Sequence, residues 1–161
     1  MAEMLVLDEH ACHCDDCIEM CKTYSCLPTP DEAAALIRAG YGKQLMLDTR
    51  PSDSKPHIKI LTLLPAMKGY ERKISPMEIG ISPCVFLNDE GLCDLHEKGL
   101  KPFEGRHIQH DTDKTSEQAI LSLLKSMWNT RSGHAIVSRW VSEYYLGDPK
   151  WATRSKKRGK E

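Results

Sequence analysis

The chain lacks the features that place many proteins in a broad class at once. It has no uninterrupted apolar run near the roughly 20 residues that a membrane-spanning helix needs. Its first ten residues, MAEMLVLDEH, contain acids and no Lys or Arg, which argues against a secretory signal peptide. Its net charge of −1 excludes a global attraction to nucleic acid or membranes. The sequence therefore predicts a cytoplasmic protein that does not associate with membranes.

Common catalytic signatures are also missing. There is no glycine-rich phosphate-binding loop, no G-x-S-x-G nucleophile elbow and no internal repeat. Cysteine and histidine are plentiful, with seven of each, so a catalytic Cys–His pair stays open although no pair stands out. The sequence leaves the catalytic residues unknown and enzymatic activity undecided.

Length and charge indicate one domain and a tail. A chain of 161 residues with 40% hydrophobic residues is long enough to bury the core of one ordinary domain. Residues 1–33 hold eight acids against Lys22 alone, whereas residues 150–161 hold six basic side chains against Glu161. We therefore expect a single domain over residues 1–149 and a basic, flexible tail over 150–161.

Helix signals are clear at two places. The segment TPDEAAALIRAG (29–40) predicts a helix with Thr29 as N-cap, Glu32 completing a capping box and Gly40 as its stop. Apolar residues at helical spacing predict helices across 115–146, interrupted at NTRSG (129–133). We expect the aromatic residues of these helices in the core rather than on a binding surface.

Strand signals are shorter. The segment IKILTLL (58–64) predicts a buried strand, and residues 84–96 (CVFL, NDEG, LCDLH) predict a short β-hairpin. Residues 65–83 predict a long connecting segment. Together these patterns predict an α+β fold: a small, metal-clamped, Cys-rich domain with a short β-hairpin and a helical C-terminal half.

Cysteine is the abundant residue that carries chemical information. Five of the seven lie in HACHCDDCIEMCKTYSC (10–26). Cytoplasmic thiols stay reduced, and an odd count fits poorly with a closed set of disulfides. The neighbouring Asp15, Asp16 and Glu19 make burial of these cysteines as small hydrophobes a poor explanation. A ferredoxin-type run is a poor match, because Met20 stands at its third cysteine. The cluster therefore predicts a thiolate metal site.

The spacing of the cysteines suggests which of them converge. Cys14 and Cys17 have the C-x2-C spacing that brings two thiolates to one ion, Cys21 follows one helical turn later, and Cys12 can complete the set or bind a second ion. Cys84 and Cys93 lie at the two ends of the predicted hairpin and can supply further thiolates. The predicted ligands of zinc or iron, with zinc slightly favoured, are Cys12, Cys14, Cys17, Cys21, Cys84, Cys93 and His96.

Other candidates are weaker. Cys26 is explained at least as well by burial as a small hydrophobe as by ligation. His107 and His110, in RHIQHDTD, can hold a metal, but the polar sequence favours a loop without function. His10 and His13 border the cluster either as ligands or as solvated neighbours.

Two separated segments, CDDCIEMC (14–21) and CVFLNDEGLCDLHEKGLKPFEGR (84–106), resemble the YkgJ-type family of zinc- or iron-chelating domains. The family pattern is C-x2-C-x2-C-C, then C-x-F-L, then C-x-I-[YH]-x2-R-P-x2-C-R. Residues that fit it are Cys14, Cys17, Cys21, Cys84, Phe86, Leu87, Cys93, Leu95, His96, Pro102 and Arg106. Met20 and Gly105 stand where the family has cysteines, Lys101 stands for an arginine, and Cys12 and Cys26 are additional. The resemblance covers about residues 12–107 and implies metal chelation, with Cys12, Cys26, His96 or Met20 able to fill the gaps.

Three functions stay open. The first is a metal-binding module whose ion is mainly structural and whose helical half or tail meets a protein or peptide partner. The second is an iron-dependent metalloenzyme that modifies a protein or peptide, since the resemblance extends to cysteine motifs in a flagellin lysine methylase; Asp15, Asp16, Glu19 or His96 would then assist the chemistry. The third is nucleic-acid binding through residues 150–161, against which the acidic cysteine region argues.

Overall fold

The fold is α+β, as predicted. A computed structural model describes residues 14–23, 25–76 and 80–146. In chain order it contains α1 (Asp15–Thr23), α2 (Pro30–Arg38), a 3-10 turn (Gly42–Gln44), β1 (Leu45–Pro51), β2 (Lys59–Pro65), α3 (Phe103–His107), α4 (Lys114–Trp128) and α5 (Arg131–Tyr144). Cys12, His10, His13 and the basic tail lie outside the described residues. No helix in the described ranges combines the length and the apolar character needed to cross a bilayer.

Strands β1 and β2 form an antiparallel hairpin that supplies part of the core. Leu45 lies opposite Pro65 and Pro51 opposite Lys59. The strand predicted at 58–64 is confirmed as β2, whereas its partner β1 has no counterpart among the sequence predictions. The apolar part of β1 is only LML before a charged stretch, and so short a run does not distinguish strand from helix or loop.

The hairpin predicted at 84–96 is only partly correct. Leu87 and Cys93 form a single β-bridge, and no strand forms in this segment. The Asn88 side chain accepts the backbone N–H groups of Glu90 and Leu92, both at 3.0 Å, and the Asn88 N–H donates to the Leu92 carbonyl at 2.9 Å, so a side chain and a few backbone bonds close the turn without a continuous ladder. Cys84 makes its bridge with Met67, so it is not paired with Cys93 as the prediction required.

Helix α2 forms as its sequence predicts. The Thr29 hydroxyl accepts the Glu32 N–H at 3.1 Å, and the Glu32 carboxylate accepts the Thr29 N–H at 2.9 Å, which completes the capping box. Gly40 follows the helix with φ +95°, a conformation that favours glycine and ends the helix. The Glu32 carboxylate also accepts the Phe103 N–H at 2.9 Å and pairs with Arg106, so the start of α2 is tied to α3.

The C-terminal helices bury their aromatic residues, as expected. Trp128 of α4 and Trp140 of α5 have no exposed surface. Their indole N–H groups donate to the carbonyls of Pro28 and Gly42, each at 2.8 Å. Because a buried N–H is costly without an acceptor, these two bonds let large aromatic side chains fill the core without a polar penalty.

The break between α4 and α5 is shorter than predicted and depends on a glycine. Only Asn129 and Thr130 separate the two helices, and Gly133 lies in the first turn of α5. A Cβ atom added at Gly133 would lie 2.4 Å from the Trp128 carbonyl oxygen. A side chain at this position would therefore push the two helices apart.

We expect Gly133→Ala to lower the free energy of unfolding by about 1–3 kcal/mol, the usual cost of overpacking against atoms that cannot move freely. Ser138→Ala, on the exposed face of the same helix, is the matched control and should change it by less than about 0.5 kcal/mol. Urea unfolding measures both. Equal stabilities of the two variants would contradict the packing role of Gly133.

Candidate metal centre

Cys14, Cys17 and His110 come together in a group that can hold a metal ion. The Sγ atoms of Cys14 and Cys17 lie 3.2 and 3.3 Å from Nδ1 of His110. All three ligand atoms lie within 4.8 Å of one another, and among the described residues they form the one group of three or more His, Cys, Asp or Glu side chains that does so. A tetrahedral zinc ion separates its sulfur and nitrogen ligands by about 3.5 Å, so small adjustments suffice to accommodate one.

Local sequence explains how the two cysteines reach the same point. Cys14 directly precedes α1, and its carbonyl accepts the Ile18 N–H at 3.0 Å as the helix begins. Cys17 lies three residues further on, in the first turn, so both side chains face the same side of the helix start. The C-x2-C spacing therefore acts here through the first turn of a helix.

His110 is held by the turn that connects α3 to α4. The Gln109 N–H donates to the Thr112 hydroxyl at 2.8 Å, and the Thr112 N–H donates to the Gln109 carbonyl at 3.1 Å. Asp113 then caps α4 by accepting the Ser116 N–H at 2.8 Å. These bonds fix the loop backbone and so direct the exposed His110 toward α1.

The structure adds His110 to the candidate metal ligands. The polar sequence favoured a loop without function, but His110 lies beside two thiols that are 96 and 93 residues away in sequence. The neighbouring His107 is buried and lies against Phe103, with ring centroids 4.2 Å apart and the ring planes tilted by 48°. Two histidines three residues apart thus have different environments, which no local pattern distinguishes.

The remaining predicted cysteines lie in a second place. Cys21, Cys84 and Cys93 line one small cavity of about 20 Å³, together with Cys26 and Lys101. His96 is half-buried and lines an outer pocket that Cys93 also borders. The predicted ligand set is therefore divided between two places in the described part of the chain, while Cys12 lies outside that part.

Burial dominates the ionisation of the thiols in this second group. It raises the pKa of Cys84 to about 12, with the neighbouring Cys93 and Cys21 adding to the shift. Burial likewise raises the pKa of Cys21 and Cys93, and it raises that of Cys26 well above its usual value. Lys101 acts in the opposite direction on Cys21, Cys26 and Cys93. Without a cation in the cavity, these thiols are neutral near pH 7.

Neither protein-family models nor curated proteins nor solved structures match this chain. The chemistry of the two cysteine groups therefore follows from their own geometry, burial and charge.

A buried carboxyl group fixes the chain beside Cys26. The Glu104 side chain accepts the Leu27 N–H, and the Glu104 backbone N–H donates to the Leu27 carbonyl at 3.1 Å. Glu104 is 6% exposed, and burial raises the pKa of its carboxyl group although Arg50 partly offsets the effect. The residue that follows Cys26 is thus bound at both its N–H and its carbonyl.

The raised pKa of Glu104 predicts the sign of a pH effect on stability. The folded chain binds more protons than the unfolded chain between the usual glutamate pKa and the raised one, so the contribution of Glu104 to stability falls as pH rises through that interval. Glu104→Gln keeps an acceptor for Leu27 but cannot ionise. We expect the stability of the wild type relative to this variant to fall as pH rises from about 4 to about 7.

Urea unfolding of both proteins across this pH range measures the difference. Asp53→Asn is the control, because hydrogen bonds from Lys125 and Ser122 lower the pKa of the exposed Asp53, so that the wild-type advantage over this variant changes below about pH 4 and should stay nearly constant from about 4 to about 7. A wild-type advantage over Glu104→Gln that is constant or that grows with pH would contradict the burial effect.

Proposed function

We propose that this chain is a zinc-binding protein in which the Cys14–Cys17–His110 centre holds its N-terminal helix to the rest of the domain. The observation that carries the proposal is the convergence of two sulfurs and one imidazole nitrogen from segments more than 90 residues apart. Side chains so distant in sequence gain little from a weak thiol–imidazole contact at an exposed position. Shared coordination of one ion gives the contact a larger free energy.

The donor set supports zinc over iron. Two thiolates with an imidazole belong to the soft and borderline ligands of tetrahedral zinc, whereas ferredoxin-type iron–sulfur clusters are held by four thiolates. Two thiolates also neutralise the charge of Zn²⁺, which suits a site next to Asp15 and Asp16. Cys12, two residues before Cys14, is the natural candidate for a fourth ligand that would close the site.

A structural role for the ion is supported by the composition of α1. None of its nine residues is fully buried, although Met20 packs against the core and Ile18 lies beside Gly91, so removal of apolar surface from water supplies only part of the free energy that docks this helix. Zinc that joins its start to the loop before α4 adds to that free energy. The resemblance to the YkgJ-type chelating domains points the same way, and we propose membership of that family on the residues matched above, with His110 as a ligand just beyond the matched segment.

Exposure of His110 favours a second candidate function, a metalloenzyme. Catalytic zinc sites commonly have three protein ligands and one position open to water, and Cys2His is one of their ligand sets. An exposed imidazole leaves such a position within reach of a peptide or protein substrate. The number of protein ligands separates the two functions, because a fourth thiolate closes the site and a bound water opens it.

We expect Cys14→Ser and His110→Ala each to lose about one zinc ion per chain relative to the wild type, because each removes a ligand of a three- or four-ligand site. His134→Ala, at an exposed position on α5, is the matched control and should retain the wild-type zinc content. Elemental analysis of protein purified without chelator measures this content. Limited trypsin digestion at Lys22 measures how firmly α1 is held.

Zinc should slow cleavage at Lys22 in the wild type and in the control, chelation should remove this protection, and either ligand substitution should weaken it. Cobalt substitution gives the ligand number, since its absorption distinguishes a closed thiolate-rich site from one that binds water. Unchanged zinc content in both Cys14→Ser and His110→Ala would refute the proposed centre.

A further inference from the structure

Four cysteines outside the first centre surround one cavity. Cys21 comes from α1 and Cys26 from the segment before α2. Cys84 and Cys93 both come from the connection between β2 and α3, with Cys93 after the turn that begins at Asn88. The cavity measures about 20 Å³, which is room for roughly one occupant the size of a water molecule. Convergence of four thiols from three segments on a space for one small particle is the arrangement of a four-thiolate ion site.

Backbone hydrogen bonds hold these segments together without any metal. The Cys84 N–H donates to the Cys21 carbonyl at 3.1 Å, and Cys84 also bridges Met67 at the end of β2. Cys93 bridges Leu87, which is three residues after Cys84. Cys26 lies between Ser25, whose hydroxyl donates to the Pro65 carbonyl, and Leu27, which Glu104 binds. The scaffold of the cavity is therefore preformed.

A glycine makes room for the fourth thiol. A Cβ atom added at Gly105 would lie 3.1 Å from Sγ of Cys26 and 3.2 Å from Cε of Lys101. The absence of a side chain at 105 thus leaves the space in which Cys26 and Lys101 approach each other. Four thiolates around Zn²⁺ carry a net charge of about −2, and the Lys101 ammonium offsets part of it.

We propose that Cys21, Cys26, Cys84 and Cys93 bind one Zn²⁺ ion as a second centre, which is separate from Cys14, Cys17 and His110 and goes beyond the proposed function. No three of these sulfurs lie within 4.8 Å of one another among the described residues. Binding therefore requires the thiol side chains to turn toward the ion, which rotation about the Cα–Cβ bond permits. A space for one occupant favours a single ion over a multinuclear cluster.

Zinc content of four proteins tests this proposal. We expect about two zinc ions per chain in the wild type, about one in His110→Ala, about one in Cys26→Ser and almost none in the double variant, because each substitution removes a ligand of one centre. Cys14→Ser is the matched cysteine control and should behave like His110→Ala. About one zinc ion in both the wild type and Cys26→Ser would overturn the second centre. Loss of zinc in Cys26→Ser with no loss in His110→Ala would instead overturn the first.

Alkylation of the His110→Ala chain tests the second centre with all four of its cysteines intact, so it does not depend on the folding of Cys26→Ser. N-ethylmaleimide labelling followed by peptide mass spectrometry should be slowed at least tenfold by added ZnCl2 at Cys21, Cys26, Cys84 and Cys93, and a chelator should restore it. Equal labelling with and without zinc would overturn the proposal. So would an intact mass, measured before reduction, that shows a disulfide between any two of the four.

Discussion

Attachment of helix α1 is the constraint on which the cysteine-rich part of the molecule depends. Nine residues are too few for a helix to be stable alone in water, and none of the side chains of α1 is fully buried, although Met20 packs against the core. Its described backbone contacts with the rest of the domain are the bonds from Cys84 N–H to the Cys21 carbonyl and from Gly80 N–H to the Thr23 carbonyl. Both lie at its C-terminal end. The N-terminal end meets the domain through two thiols, His110 and the side chain of Ile18 beside Gly91, so a ligand at this point strengthens an attachment that has little apolar contact of its own.

The remainder of the fold does not need the cysteines in the same way. The β1–β2 hairpin, α2, α4 and α5 enclose a conventional apolar core, with Trp128 and Trp140 fully buried and hydrogen-bonded. Two acids join this core to the cysteine-rich part. Glu32 binds the start of α2 to α3, and Glu104 binds α3 to the residue after Cys26. Removal of either acid alone would leave the backbone N–H groups that it accepts without a partner, which is the cost that keeps both links in place.

Local signals in the sequence predicted local structure well, and they failed where the outcome depends on distant residues. Helix α2 is determined by its own cap and stop, and α4 and α5 by their apolar stripes, so all three were predictable. Strand β1 is too short to have a recognisable pattern. In the segment 84–96, the Asn88 side chain helps to close the turn, and a single β-bridge stands where a hairpin was predicted. For the candidate site, C-x2-C predicted the nearness of Cys14 and Cys17. The same reasoning could not find His110, because only the turn before α4 brings it to α1.

Cys26 is a second residue whose environment depends on distant parts of the chain and could not be predicted from its local sequence. Its sequence context is equally typical of a small buried hydrophobe, and its significance comes from Gly105 and Lys101, which lie about 75 or more positions away along the chain. The division of the cysteines into two groups likewise follows from α1. Cys17 and Cys21 lie one helical turn apart on the same face of α1, and both border a pocket, but only Cys21 also lines the smaller cavity with Cys84. On the proposed assignment, the exposed centre is electrically neutral with Cys14, Cys17 and His110 alone and carries one negative charge with Cys12 as a fourth ligand, whereas four thiolates give the second centre a charge of about −2 beside Lys101. An ion that exchanges at the exposed centre would then loosen the start of α1, while its end stays bound at Cys21.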